Sequence, residues 1–409
     1  MSISPLAGLR IVEFASFVAG PSAGMALAQL GAEVIRIDPL TGGPDIRRWP
    51  LSRETGASLY WSSLNRGKKS VTIDVRSPEG QELVLALATR PGSDAGILVD
   101  NQVGRPWLSH GALAARRPDA IRMHIAGRAD GGPAVDYTVN PDVGVADLTG
   151  PGDSRTPINH VLPAWDYIAG MTAVMGLLAA VRRRDRTGEG ADLKIALADV
   201  ALAGVANLGW LSEAREYGDR ARHGNYMYGT FGVDFKTVDG QRIMVVALTP
   251  RQWVALGRAT GTRGVLAALE ESLSVDFSRE DDRYLHREVI AAVMRPWFAS
   301  STSDAVASAL TEEGVLWSRY RTMTEVVADF AAGGTSGVLA DVDQPGIGSV
   351  ISARSPILEH DEYGSTATAP ALGADTDEVL SAALGLSSAE LARLHDAGVL
   401  CRTGAASSH

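Results

Sequence analysis

The sequence is poor in cysteine. Cys401 is its one thiol, which excludes an internal disulfide and any cysteine-rich metal site. The eight histidines lie scattered, without an HExxH or comparable ligand spacing, so no metal is expected. No run approaches the roughly 20 consecutive apolar residues of a membrane span, and the start lacks a basic segment leading into a long apolar one. Cations are the minority, 38 Lys and Arg against 48 Asp and Glu, for a net charge of −10. That balance argues against a nucleic-acid binder, which needs a basic face. It leaves room for a polyanionic cofactor, which needs only a local cation cluster. The expectation is a cytoplasmic protein with neither nucleic-acid nor membrane partners.

What is present is an ordinary globular balance, 45% apolar and 21% charged over 409 residues, enough for two or three domains. LRIVEF (9–14), a glycine-containing loop and helix (16–32), and EVIRID (33–38) form a βαβ unit. The loop with Gly20, Pro21 and Gly24 is not GxGxxG, so the dinucleotide fingerprint is missing. Further strands at 70–75, 95–100, 121–127 and within DRTGEGADLKIALADVALAG (185–204) alternate with helices. The pattern predicts an α/β fold with a large doubly wound, Rossmann-like parallel sheet. GRADGGPAVDYTVNPDVG (127–144) reads as one long loop, in which Asp142 is a second candidate acid and Tyr137 a candidate donor to an oxyanion. Near residue 220 the texture changes. HGNYMYGTFGVDFKTVDGQRIMVVAL predicts two antiparallel strands about a DG turn, then helices to about 330. Short strands and two helices end the chain, and the tail RTGAASSH is expected to be disordered.

NHVLPAWDYIAGMTAVMGLLAAVRRR (159–184) stands out. It reads as a helix of small and apolar residues that lets other backbone approach closely. Pro163 suits its first turn, which places Asp166 at the positive end of the helix dipole. An Asp there is otherwise a capping or dipole-pairing residue. With Trp165, His160 and Asn159 beside it, Asp166 becomes the candidate nucleophile.

Taken together, LAGLRIVEFASFVAGPSAGMALAQLGAEVIRID, NRGKKSVTIDVRSPEGQEL and RTGEGADLKIALADVALA resemble, in order, the blocks of the family III CoA-transferases. In that family an Asp ahead of a helix like AWDYIAGMTAVMGLLAA is the nucleophile, and Asp166 occupies the position. The resemblance implies a large CoA-binding domain from residues 1–215 and 335–409, a small α+β domain from 216–334, and an interlocked homodimer. It implies no permanently bound cofactor, with coenzyme A entering as part of the substrate. The family's racemases carry a His before an Asp in the long loop and a Glu in the small domain. The corresponding slots here are Pro141, ahead of Asp142, and Thr249, which disfavours racemisation. RRWP, DYTVNP, NHVLPAWD and GNYMYGTFG resemble a subgroup that moves CoA between the two carboxyls of one dicarboxylic acid. The expected substrate is therefore the acyl-CoA of a dicarboxylate, and an intermolecular CoA-transferase is the rival.

The same resemblance implies a route through an aspartyl-CoA thioester on Asp166. Phe17, Val18 and Ala19 would lie beside the thioester, where backbone N–H groups hold the oxyanion. Arg36, Arg66, Lys68, Arg105 and Arg128 are the candidates for the CoA phosphates. Arg47 and Arg48 would bind the free carboxylate, since a guanidinium recognises it with two parallel bonds. Tyr137, Asn225, Tyr226 and Tyr228 would close the substrate pocket.

Overall fold

Apolar residues in the first 200 positions recur in short runs whose neighbours point to opposite faces of a sheet. In the computed structural model, which describes residues 4–334 and 337–401, six of these runs are strands. They are Arg10–Phe14 (β1), Glu33–Asp38 (β2), Lys69–Thr72 (β3), Ile97–Asp100 (β4), Ile121–Ala126 (β5) and Ala191–Ala196 (β6). Their order is β3-β2-β1-β4-β5-β6, and every neighbouring pair is parallel. Both faces are covered. Val12, Ile35 and Leu98 join one core cluster, while Ile11, Val34 and Ile97, one residue away on each strand, join the other. Such two-sided burial is why these strands read as nearly continuous apolar runs. The chain reverses its direction of growth between β1 and β4, the place where open α/β sheets leave a crevice for ligands.

The chain contacts divide the protein into two compact units. The first comprises residues 4–143, 161–212 and 337–401 of the described chain. Its edge strand β3 is covered by the returning chain. Gly67 N–H donates to Thr368 O, Asp375 N–H to Ser70 O and Asp74 N–H to Val399 O, while the Asp375 carboxylate accepts from Ser70 N. The helices Thr376–Leu384 and Ser388–Asp396 then place Leu380 and Leu394 in the core on that side. The tail 402–409 lies outside the described residues.

The helix Ala164–Thr187 is long and apolar enough, by length and composition, to cross a membrane, against the expectation from the sequence. It is a helix of this unit's core: Ala169, Gly170, Ala173, Leu177 and Ala180 form its buried stripe. Small residues on that stripe let it approach the helix Ala19–Gln29. A Cβ on Gly170 would stand 2.7 Å from Ala19 O and 2.4 Å from Ser22 Oγ.

The second unit comprises Gly144–His160 and Glu213–Gly334. Phe231–Lys236 (β7) and Arg242–Ala247 (β8) form the expected hairpin, with Gly240 at φ +82 in its turn. A third antiparallel strand, Leu316–Arg319 (β9), extends it, where only helices were expected. Phe235 stacks on Phe298 at 4.1 Å, and Trp253, Phe277 and Met294 complete the core. Residues 144–160, expected with the large domain, group here, and Arg222 reaches into them. Its guanidinium bonds the backbone oxygens of Asp147, Ser154 and Thr156 and the Asp147 carboxylate.

Candidate active site

The loops that leave β1 and β4 are tied together where the crevice opens. Asn101 exchanges two hydrogen bonds with the Ser16 backbone, at 3.0 and 3.3 Å, and Gln102 Nε2 donates to Phe14 O at 3.1 Å. Between them Phe17 adopts φ +71, a left-handed conformation that costs a bulky residue on the order of 1–3 kcal/mol. Its N–H donates to Asp45 Oδ2 at 3.0 Å. Val18 then caps the helix Ala19–Gln29, whose first N–H groups have no partner within the helix. Phe17, Val18 and Ala19 thus form a helix mouth able to receive a developing negative charge.

The helix Ala164–Thr187 begins against that mouth through the Gly170 contact. Its N-cap, Pro163, supplies no capping side chain. A carboxylate from elsewhere in the unit takes that part. The 127–144 stretch, expected to be one loop, contains a helix Asp136–Asp142. From its start the buried Asp136 accepts from Trp165 N at 2.8 Å and Asp166 N at 3.4 Å, and Asn140 Oδ1 accepts from Trp165 Nε1 at 3.1 Å. A cap of this kind is worth about 1 kcal/mol, and this one also fixes the rotation of the turn that carries Asp166.

Burial raises the Asp166 carboxyl to about 6, the nearby Asp136 charge adds to the rise, and Arg48 opposes it. A carboxylate held this far up is a better nucleophile than a solvated one, yet is mostly ionised at neutral pH. If it attacks as the anion, kcat/KM rises with pH through about 6. Asp136→Asn keeps an acceptor for Trp165 N but removes a negative neighbour, so the midpoint of that limb is expected to move to lower pH. A pH profile of both proteins measures this, and an unmoved limb would show that the two carboxylates are not coupled.

Arg48 closes one side. Its guanidinium carbon stands 5.5 Å from the Phe17 ring centre and 5.3 Å from that of Tyr60. Tyr60 lies on the helix Leu59–Leu64, which Ser58 caps by accepting from Trp61 N.

The remaining expected residues separate into groups. Arg36 is 1% exposed and fully engaged, with bonds of 2.8–3.2 Å to Asp38, Asp45 and Asn65. Lys68 Nζ is buried on Glu13, Pro21 O and Asn65. Burial draws its amine down to about 8, against the Glu13 charge. Neither presents a cation to a ligand, because carboxylates on the neighbouring strand and turn already hold both. Arg66 is also buried, bonded to Ser352 Oγ. Arg105 lies across Phe14 at 5.3 Å in the loop after β4, donating to Gln102 Oε1. Arg128 is half-exposed and pairs with Asp142 at 2.8 Å. Arg47 is exposed. Tyr137 Oη donates to Val161 O at 3.1 Å.

Asn225, Tyr226 and Tyr228 lie in the second unit. Asn225 and Tyr226 line a cavity of about 960 Å³ there, where Asn225 donates to Asp234. Tyr228 donates to Glu213 beneath the Arg220 guanidinium. The acid beside Asp166 is therefore Asp136, not Asp142, and the residue before it is Val135, not Pro141. Asp136, Asp45 and Tyr60 were missed from the sequence. The only signals were the DYTVNP word for the first and a Ser58 cap ahead of the last.

A family profile described as CoA-transferase family III matches residues 6–376. The chain is 47% identical over 398 residues to the 2-methylfumaryl-CoA isomerase of Chloroflexus aurantiacus, covering 97% of each. It is 30% identical to the succinyl-CoA–D-citramalate CoA-transferase of the same organism, covering 95% of this chain and 96% of the other. Among solved structures it resembles a CAIB/BAIF family protein from Brucella suis, with a TM-score of 0.74 and 26% identity. That match covers 93% of this chain and all of the other.

Proposed function

The chain belongs to CoA-transferase family III, and from that membership we propose that it is a 2-methylfumaryl-CoA isomerase. It moves CoA from the C1 to the C4 carboxyl of the 2-methylfumaryl (mesaconyl) group. The observation that carries the reading is Asp166, a carboxylate raised to about 6 at the head of a helix set against a second helix mouth. The choice of substrate is supported by the name of a relative similar over nearly its full length.

Asp166 adds to the thioester carbonyl, a C–O bond forms, the C–S bond breaks, and CoA leaves as the thiolate. The thiolate attacks the Asp166 side of the resulting anhydride, giving an aspartyl-CoA thioester and a free diacid. The diacid turns, its other carboxylate attacks that thioester, and the two steps run in reverse. Splitting the exchange this way offsets the weakness of a carboxylate nucleophile. The N–H groups of Val18 and Ala19 would receive the oxyanion. Arg48, beside Asp166, would hold the carboxylate that is not reacting. Arg105 and Arg128 are the cations left for CoA phosphates, while Tyr137 would bound the diacid.

The racemase alternative lacks its acid–base pair. Val135 precedes Asp136, and Thr249 serves as a helix cap that accepts from Gln252 N at 3.2 Å. An interlocked homodimer is supported by the long helix, which leaves Ile168, Met171 and Met175 exposed at 46, 44 and 67% on successive turns. A strip of that kind calls for a protein cover.

The test is isotopic. During conversion of mesaconyl-C1-CoA to the C4 isomer, labelled free mesaconate or excess succinate is expected to stay out of the CoA esters. Incorporation at a rate near that of isomerisation would support the intermolecular reaction for which the citramalate transferase is named.

A further inference from the structure

Two tyrosines lie where a donor to the site would be sought, and they differ in one respect. The Tyr137 hydroxyl is engaged with Val161 O. The Tyr60 hydroxyl is shielded from solvent and has no hydrogen-bond partner among the described residues. A buried hydroxyl without a partner is costly, and nearly all such groups in folded proteins are satisfied. Its ring is fixed under Arg48, the guanidinium that also covers Phe17. Its helix is pinned to the same loop, since Ser58 Oγ bonds Arg48 O at 2.5 Å. Burial raises the phenol to about 12; Arg48 opposes the rise, and the Asp166 and Asp45 charges add to it. The group therefore stays protonated at neutral pH, and it senses the charge of Asp166.

We propose that Tyr60 is a catalytic hydrogen-bond donor, whose hydroxyl completes its bonding only on the oxyanion formed when Asp166 adds to the acyl carbonyl. This rests on Asp166 being the nucleophile of the proposed reaction. As the C–O bond to Asp166 forms, the carbonyl electron pair moves onto oxygen. It returns as the C–S bond breaks and the sulfur leaves with its pair. Tyr60 keeps its proton throughout and supplies only the hydrogen bond. A donor idle in the free protein and used in the transition state acts on kcat, because it adds nothing to ground-state binding.

Tyr60→Phe is the test, since it keeps the ring beneath Arg48 and deletes only the unpaired oxygen. Wild type and variant are compared with mesaconyl-CoA and, in parallel, with succinyl-CoA plus a free diacid. With whichever ester the wild type turns over, kcat is expected to fall about 10²-fold. KM should stay within about threefold and Tm should not drop. Equal kcat in the two proteins would overturn the proposal. So would a raised KM at unchanged kcat, which marks a ground-state anchor, or a lowered Tm that accounts for the lost rate, which marks a structural bond. Failure of the substrate reading is seen separately, as a wild type that uses succinyl-CoA and not mesaconyl-CoA.

Discussion

Replacing Asp166 by asparagine is expected to reduce turnover by roughly 10⁴-fold or more, as loss of a covalent nucleophile does, and to stabilise the protein at neutral pH. The second effect follows by linkage from the raised Asp166 carboxyl. The Asp166 carboxyl sits at about 6 in the folded protein against 3.8 unfolded, so the folded state holds its proton more tightly. Stability contributed by that proton is present below about pH 4 and is lost as pH rises through about 6. Two pH units correspond to roughly 3 kcal/mol. Partial exposure of the side chain and the favourable helix dipole reduce that ceiling to about 1 kcal/mol. Asparagine carries no such burden and keeps the folded geometry. Melting curves at pH 7.5 and pH 4 check the sign. The variant should melt higher at pH 7.5, and the two proteins should converge at pH 4. A variant that melts lower at both would mean that the Asp166 charge supports the fold and is not a strain on it. A variant of undiminished activity would remove Asp166 from the reaction.

The largest stability effect is expected at Arg36. Its guanidinium makes five hydrogen bonds, to Asp38, Asp45 and Asn65, all buried. Arg36→Met fills most of the volume but leaves Asp38 and Asp45 as buried charges without a cation, a loss of about 3–5 kcal/mol. Because Asp45 also holds the Phe17 N–H, residual activity should fall through kcat, as the left-handed loop relaxes. Urea unfolding of the variant measures the first effect. A residue that merely grips a CoA phosphate would behave differently, with stability intact and KM raised; that pattern is expected of Arg105→Ala. If Arg36→Met unfolds at the wild-type urea concentration, the buried network does not support the fold.

The parts of this structure that depend on neighbouring residues were legible in the sequence. Short apolar runs marked all six strands of the large sheet, and the small-residue helix behind Pro163 located Asp166. What escaped depends on residues far apart in the chain. Asp136 caps a helix that begins 28 residues later, and no local pattern records that it, rather than Asp142, is the acid that turns inward. Arg36 and Lys68 look like available cations when read alone. Their burial is decided by Glu13 on the adjacent strand and by Asp45 in the following turn, partners set by pairing and chain return. β9 is four residues long and half-exposed, too short for its alternation to stand out. The placement of residues 144–160 depends on contacts with the segment around Arg222, about 70 positions away.

The cover over β3 also sets an order on biosynthesis. A chain leaving the ribosome has β1 to β6 available by residue 196, but the edge of β3 stays open until Asp375 and Val399 have been made. Residues 213–334, continuous except for the short 144–160 stretch, are complete well before that. The nascent polypeptide thus carries a finished small unit beside a large sheet with one unpaired strand, the kind of edge that recruits other chains. Loss of the last 35 or so residues by premature termination would leave that strand exposed for good, although every residue around Asp166 would be present. Insolubility, rather than a poor catalyst, is the phenotype to look for in such truncations.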